Sequence, residues 1–188
     1  MPAAHHLLHA GYIRDGGISV GSSVSLIEDG EAVIIVDPGL VADRALILDP
    51  LRAHGHQPSD VTHVLLTHHH PDHSINVALF PRAEVVDAWA RYVGDQWLDH
   101  QGDGYRVSPN VWLMLTPGHT TEDLTVMAET EAGVVACTHA WWHPDRSPEV
   151  DPLAEDGAAL GMSRQRILAT ADVVVPGHGG PFGTGRQR

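Results

Sequence analysis

The sequence predicts an α/β layered architecture, sheets inside and helices outside, and three observations point to it. Short, continuously apolar runs recur, such as AVIIV at 32–36 and VVV at 173–175, and this is how strands buried on both faces read. Stretches with apolar residues at helical spacing stand between some of them. No tandem repeat, heptad pattern or low-complexity linker divides the chain. Residues 1–188 therefore read as one domain, with 1–10 as a loose amino-terminal segment.

Taken in order, SVSLIEDGEAVIIVDPG (23–39) reads as a β-hairpin that turns at 28–31, where Asp29-Gly30 is the turn signal. Its second strand, 32–36, is stopped by Asp37-Pro38-Gly39. DRALILDPLRAH (43–54) has the spacing of a helix, and Pro50 predicts a kink or break within it. VTHVLL (61–66) is a buried strand that ends in the run THHHPDH. Residues 72–79 predict a short helix that stops before Pro81, and AEVVDA (83–88) another strand. The polar, aromatic-bearing stretch from 89 to 110 predicts a surface insertion able to cover a site. VWLMLTPGHT, LTVMAE, GVVACTHA and ADVVVPGHG then repeat one grammar: an apolar strand, in most cases with a histidine at or just past its end.

Composition narrows the function classes. With 43% hydrophobic and 19% charged residues, the 188-residue chain is a globular mixture. No run is long enough to span a membrane, and the amino terminus lacks the apolar core of a secretory signal, which predicts a cytoplasmic protein with no membrane partner. A single cysteine, Cys137 in an apolar strand, rules out an internal disulfide and reads as core. All 11 basic residues are arginine, set against 24 acidic ones, for a net charge of −13. Such a field repels polyanions, so a nucleic-acid partner is disfavoured without being excluded, and a small-molecule substrate is expected. Oligomeric state is not readable.

The chemistry gathers at strand ends. Just past a strand the backbone turns, so His68, His70, Asp72 and His73 can aim at one spot while His69 points away. Neutral imidazoles and a carboxylate are ligands for Zn²⁺, Fe²⁺ or Mn²⁺. His119 and His178 each follow a Pro-Gly turn, which fixes where the next side chain goes. Trp141 and Trp142 can wall a pocket, although adjacent tryptophans usually divide between core and surface. His143 reads as a surface residue, and His5, His6 and His9 carry no role.

THHHPDH resembles the T-H-x-H-x-D-H signature of the metallo-β-lactamase-fold hydrolases, and the Asp-Pro-Gly stop, the TPGHT turn, the GVVACTH strand and the closing VVVPGHG turn follow in that family's order. The likeness runs from about Gly11 to Phe182. It implies a four-layer αββα metallo-β-lactamase sandwich with one or two metal ions at one edge, zinc first, with iron or manganese possible. It assigns His68, His70 and His119 to one ion and Asp72, His73 and His178 to the other, makes Asp72 the catalytic residue that orients the nucleophile and passes on its proton, and makes Asp37 an orienting residue. One departure stands out: where the family has an aspartate that bridges both ions, this sequence has His139. An imidazole offers one lone pair, so His139 can ligate one ion only, which predicts a weakened second site.

The resemblance implies a metal-dependent hydrolase in which metal-bound hydroxide attacks a small ester, lactone, thioester or amide. A phosphodiesterase or ribonuclease is the alternative, since DVTHVLLTHHHPDH, LFP and ADVVVPGHGGPF are similar in wording to a compact family member linked to RNA cleavage. It would need an arginine cluster at the pocket, with Arg91, Arg106 and Arg146 as candidates. A mononuclear iron oxidoreductase and a non-catalytic metal-binding protein are further alternatives.

Overall fold

Fully apolar strands need cover on both faces, and the fold supplies it by packing two sheets against each other and helices outside them. The computed structural model describes residues 1–186. Along the chain the elements are β1 (Ala4–His9), β2 (Tyr12–Arg14), β3 (Ser19–Gly21), β4 (Val24–Asp29), β5 (Ala32–Val36), α1 (Ala45–Ala53), β6 (His63–Leu65), α2 (Pro71–Ser74), β7 (Glu84–Val86), β8 (Arg91–Val93) and β9 (Gln96–Leu98). They continue as β10 (Arg106–Ser108), β11 (Val111–Leu115), β12 (Leu124–Thr130), β13 (Gly133–Cys137), α3 (Gly157–Thr170), β14 (Val173–Val175) and β15 (Phe182–Gly183).

One sheet runs β1-β4-β5-β6-β7-β8-β9, the other β10-β11-β12-β13-β14-β15, and β2-β3 forms a separate hairpin. The pairs β5·β6, β6·β7 and β13·β14 are parallel, and the other pairs in the two sheets are antiparallel. Between the sheets lies a core of Ile27, Ile34, Val36 and Leu65 against Leu113, Leu124, Val126 and Val175. Helix α1 covers the outer face of the first sheet with Ile47 and Leu51, both fully buried against Leu26, Ile35 and Val64. Helix α3 covers the second with Leu160 and Ile167 against Met127, Ala136 and Val174. The expected αββα layering is thus observed. Cys137 lies in the central core, where burial pushes its thiol up to about 12.

Several expectations are corrected. The amino-terminal segment is not loose: β1 pairs antiparallel with β4 from Ala4↔Glu28 to His9↔Val24, because alternate residues of AHHLLH pack on a sheet edge that would otherwise be bare. Pro50 does not break α1, since the carbonyl it leaves unpaired, that of Leu46, belongs to an exposed residue that water can serve. The helix expected at 72–79 is two short pieces, α2 and a 3₁₀ turn at Val77–Leu79. The stretch 89–110 is no cover: β8 and β9 extend the first sheet, and β10 extends the second. The β4–β5 hairpin is as expected, with Gly30 at a positive φ of 65° that L side chains rarely adopt.

Candidate metal centre

Asp37 shows how the chain builds the site from local chemistry. Stopped by Pro38, strand β5 leaves Asp37 in the left-handed region at φ 51°, a conformation that aspartate tolerates better than most residues. Its buried carboxylate accepts hydrogen bonds from Thr67 N at 2.8 Å and Thr67 Oγ1 at 2.7 Å, and pairs with His73 Nδ1 at 2.8 Å. Because the Thr67 hydroxyl donates to Asp37, its lone pair is left to accept from His68 Nδ1 at 3.1 Å. One carboxylate therefore sets the ring orientation of two histidines on either side of the β6–α2 turn.

The other rings are fixed the same way. Three hydrogen bonds clamp the turn that carries His119: Ser163 Oγ to Pro117 O at 2.8 Å, Asp156 N to Gly118 O at 3.0 Å and Glu155 N to His119 O at 3.1 Å. The first two come from α3 and its cap. A Cβ on Gly118 would fall 2.4 Å from Leu160 Cα, so only glycine lets this turn lie against the helix. His119 Nδ1 then donates to Asp151 Oδ2 at 2.8 Å, a carboxylate that also accepts from Trp142 Nε1 at 2.9 Å. His178 Nδ1 donates to Gly21 O at 3.0 Å.

These partners occupy Nδ1 of His68, His73, His119 and His178, which leaves the Nε2 lone pairs of all four pointing away from their partners. His68 Nε2 and His119 Nε2 both approach His70 Nδ1, at 3.0 and 3.2 Å. A single Nδ1 proton could serve only one of them. His73 Nε2 is buried with no hydrogen-bond partner, with Asp72 Oδ2 3.4 Å away, and His178 Nε2 stands 3.8 Å from the same oxygen. Protein interiors rarely leave such atoms unpaired, and a cation satisfies them all: tetrahedral zinc with Zn–N bonds of about 2.0–2.1 Å places its ligand atoms roughly 3.3 Å apart. The donor set fits a divalent metal.

His139 lies at the middle of the cluster. Its ring centroid is 4.2 Å from that of His119, 4.7 Å from His68, 4.8 Å from His73 and 5.1 Å from His178. It belongs to two groups whose ligand atoms lie within 4.8 Å of one another, His68/His119/His139 and His73/His139/His178. The ring is wedged against Gly177, where a Cβ would come within 2.4 Å of Nδ1.

The electrostatics favour neutral rings. Burial, followed by the neighbouring imidazoles, holds His68 and His139 well below the ordinary histidine value, and burial brings His178 down to about 4. His73 is the exception: burial pushes it down, but the charge and hydrogen bond of Asp37, together with the charges of Asp72 and Asp123, raise it by more. Asp123, whose carboxylate holds Thr120 N at 2.8 Å and Thr120 Oγ1 at 2.7 Å, is pushed up to about 6 by burial.

All seven residues expected as ligands, His68, His70, Asp72, His73, His119, His139 and His178, are thus brought to one edge of the sandwich. His69 turns away as expected, to Asp87 Oδ2 at 3.0 Å, and stacks on Trp89. A cavity of about 340 Å³ opens on the cluster; Asp72 reaches it, and Ile13, Val20, Trp142 and Leu153 wall it. Trp141 is core, so the tryptophan pair does divide, and His143 does not reach the cavity. Neither do the candidate arginines: Arg91 pairs with Glu84, Arg106 lies over Trp112 and Arg146 over Phe182. Sequence reasoning missed Asp151 and the β2–β3 wall. Asp151 sits in a loop with no local pattern to mark it, 32 residues from the ring it orients.

Comparison with known proteins agrees with this geometry. The Metallo-beta-lactamase superfamily model matches residues 18–180. Metallo-beta-lactamase domain-containing protein 1 of Xenopus laevis is 32% identical over 197 residues, spanning 96% of this chain and 82% of that protein. The crystal structure of a metallo-beta-lactamase homologue from Thermotoga maritima superposes with a TM-score of 0.78 at 21% identity, covering 97% of this chain and 100% of the other. A dizinc quorum-quenching lactonase in complex with the product N-hexanoyl-L-homoserine superposes with a TM-score of 0.66 at 14% identity, covering 94% and 84%. Among the described residues no helix is long and apolar enough to cross a membrane. With the family model matched over most of its length and the strand-end histidines gathered at one edge, the chain belongs to the metallo-beta-lactamase superfamily.

Proposed function

We propose that the protein is a zinc-dependent hydrolase of a small carboxylic ester or lactone, with thioesters and amides as further members of the substrate class. The observation that carries this reading is the juxtaposition of a lone-pair-rich histidine cluster with a cavity whose other walls are apolar. His68, His70 and His119 would hold one ion, and Asp72, His73 and His178 a second, with His139 contributing to one of them. A divalent cation bound there supplies Lewis acidity, polarising an acyl oxygen and acidifying water.

The chain's own residues do the rest. Asp72, 18% exposed and lining the cavity, accepts the proton of the attacking water and delivers it to the leaving alkoxide. Ile13, Val20, Trp142 and Leu153 bind the apolar part of the substrate and displace water from the acyl centre. Asp37 and Asp151 keep the rings of His73 and His119 in the tautomer that presents Nε2. The net charge of −13, and a cavity lining that holds no arginine among the described residues, favour an uncharged acyl substrate over a phosphodiester. The likeness to a lactonase in fold supports the same class.

The test is metal analysis of the purified protein, followed by turnover of ester, lactone, thioester and bis-nitrophenyl phosphate substrates with and without chelator. Chelator-sensitive turnover of an ester or lactone is expected. Turnover that survives full removal of metal, or confined to the phosphodiester, would overturn the reading.

A further inference from the structure

Outside the metal centre, three more imidazoles surround one carboxylate where β1, β4 and the end of α1 meet. The sequence AHGH explains how. Helix α1 closes with Gly55 N bonded to Arg52 O at 2.9 Å and His56 N to Leu51 O at 3.2 Å, with Gly55 at φ 88°. This 6→1 and 5→2 pattern reverses the chain at the glycine and fixes His54 and His56 on either side of the turn.

His56 Nε2 meets Glu28 Oε1 at 2.8 Å. From the sheet, His6 Nε2 meets the other oxygen, Glu28 Oε2, at 3.1 Å. His6 and Glu28 are diagonal neighbours on β1 and β4, given the register Ala4↔Glu28 and His6↔Leu26, so their side chains share a face. The His54 ring packs on that of His6 with centroids 4.1 Å apart, and the ligand atoms of His6, Glu28 and His54 all lie within 4.8 Å of one another. Side-chain exposures of 33% for His6, 34% for Glu28 and 20% for His56 leave the group reachable by an ion yet partly shielded from water. A salt bridge needs one imidazole for one carboxylate; here there are three.

We propose that His6, Glu28 and His54 form a second site, separate from the hydrolytic centre, for a borderline divalent cation of the Zn²⁺ class, with His56 holding the carboxylate of Glu28 in place through its other oxygen. Two imidazoles and a carboxylate, with water in the fourth position, make up a donor set that four-coordinate zinc accepts. The cation takes the place of the contact that now links Glu28 to His6, and it lies at the carboxyl end of a helix, where the backbone carbonyls favour positive charge. Its structural effect is to tie the edge strand β1 to α1, two elements that otherwise meet only through side-chain packing.

The experiment strips the protein with chelator, titrates it with ZnCl₂ and counts bound zinc after gel filtration. The His54→Ala/His56→Ala variant, in which His54 is exposed and His56 part-buried, and Glu28→Gln are compared, with circular dichroism as the control for folding. Long-range ¹H–¹⁵N spectra follow the imidazole nitrogens. Expected are one zinc equivalent fewer in the double variant, at least about tenfold weaker binding of that equivalent in Glu28→Gln, and shifts of the His6, His54 and His56 ring nitrogens at the same point of the titration. Equal zinc counts in both proteins, or ring nitrogens of His6, His54 and His56 unmoved by excess zinc, would reduce the cluster to a hydrogen-bonded ion pair and overturn the proposal.

Discussion

Gly177 governs His139 although it offers no ligand atom. A methyl group there would press on the ring at Nδ1, 2.4 Å away, and at Cε1, 2.9 Å away, and the ring is enclosed by the other imidazoles with little room to retreat. Gly177→Ala should therefore destabilise the protein by about 1–3 kcal/mol, the usual cost of overpacking, and weaken zinc binding as well. Denaturant unfolding and a zinc titration measure the two effects. Adding His139→Ala should recover much of the lost stability, and no recovery would show that the clash lies elsewhere. At this scale the sequence was highly legible: a Pro-Gly turn or an Asp-Pro-Gly stop marks its own position, so His119, His178 and Asp37 stand out without any knowledge of the fold. Asp151 does not, because its role depends on a ring brought near by tertiary packing.

Strand β1 shows the opposite side of that lesson, at the scale of elements. AHHLLH is short and half histidine, and nothing local distinguishes a strand that completes a sheet from a frayed terminus. Helix α3 escaped notice too: its buried face is Leu160, Ser163 and Ile167, so a serine interrupts the apolar stripe, and Ser163 is spent on holding Pro117 O. The pairing of β1 has a measurable pH signature through His5, which lies against Ser25 Oγ at 3.0 Å and is lowered to about 4, chiefly by burial and then by His6. Below its unfolded value of 6.5, the unfolded chain takes up a proton that the native ring refuses. Stability should thus fall as pH drops from 6.5 to 4 and level off below that, by about 2 kcal/mol after allowing for the ring's partial exposure. His5→Gln should flatten this part of the stability profile relative to wild type in urea unfolding at several pH values. An unchanged slope would mean that the native ring protonates freely.

For the whole molecule, the layered architecture and the edge on which the site lies were readable from strand order and strand-end histidines, whereas the cavity walls were not, because β2–β3 and the Leu153 loop belong to the site only through long-range packing. The cluster aims desolvated imidazole lone pairs at one another, so metal binding should contribute directly to stability. At a free zinc concentration about 100 times the dissociation constant, the gain is about 2.7 kcal/mol, or roughly 5–11 °C in Tm for a chain of this size. Differential scanning calorimetry with zinc and with chelator checks this, and a Tm indifferent to chelation would mean that the cluster is not a binding site. The seam between the His119 turn and α3, where Gly118 lies against Leu160 and Asp156 N and Ser163 Oγ grip the turn, carries a kinetic implication. Undocking of that helix releases the turn with it, so the ion's residence time and the deuterium uptake of the helix amides should be governed by a single opening event.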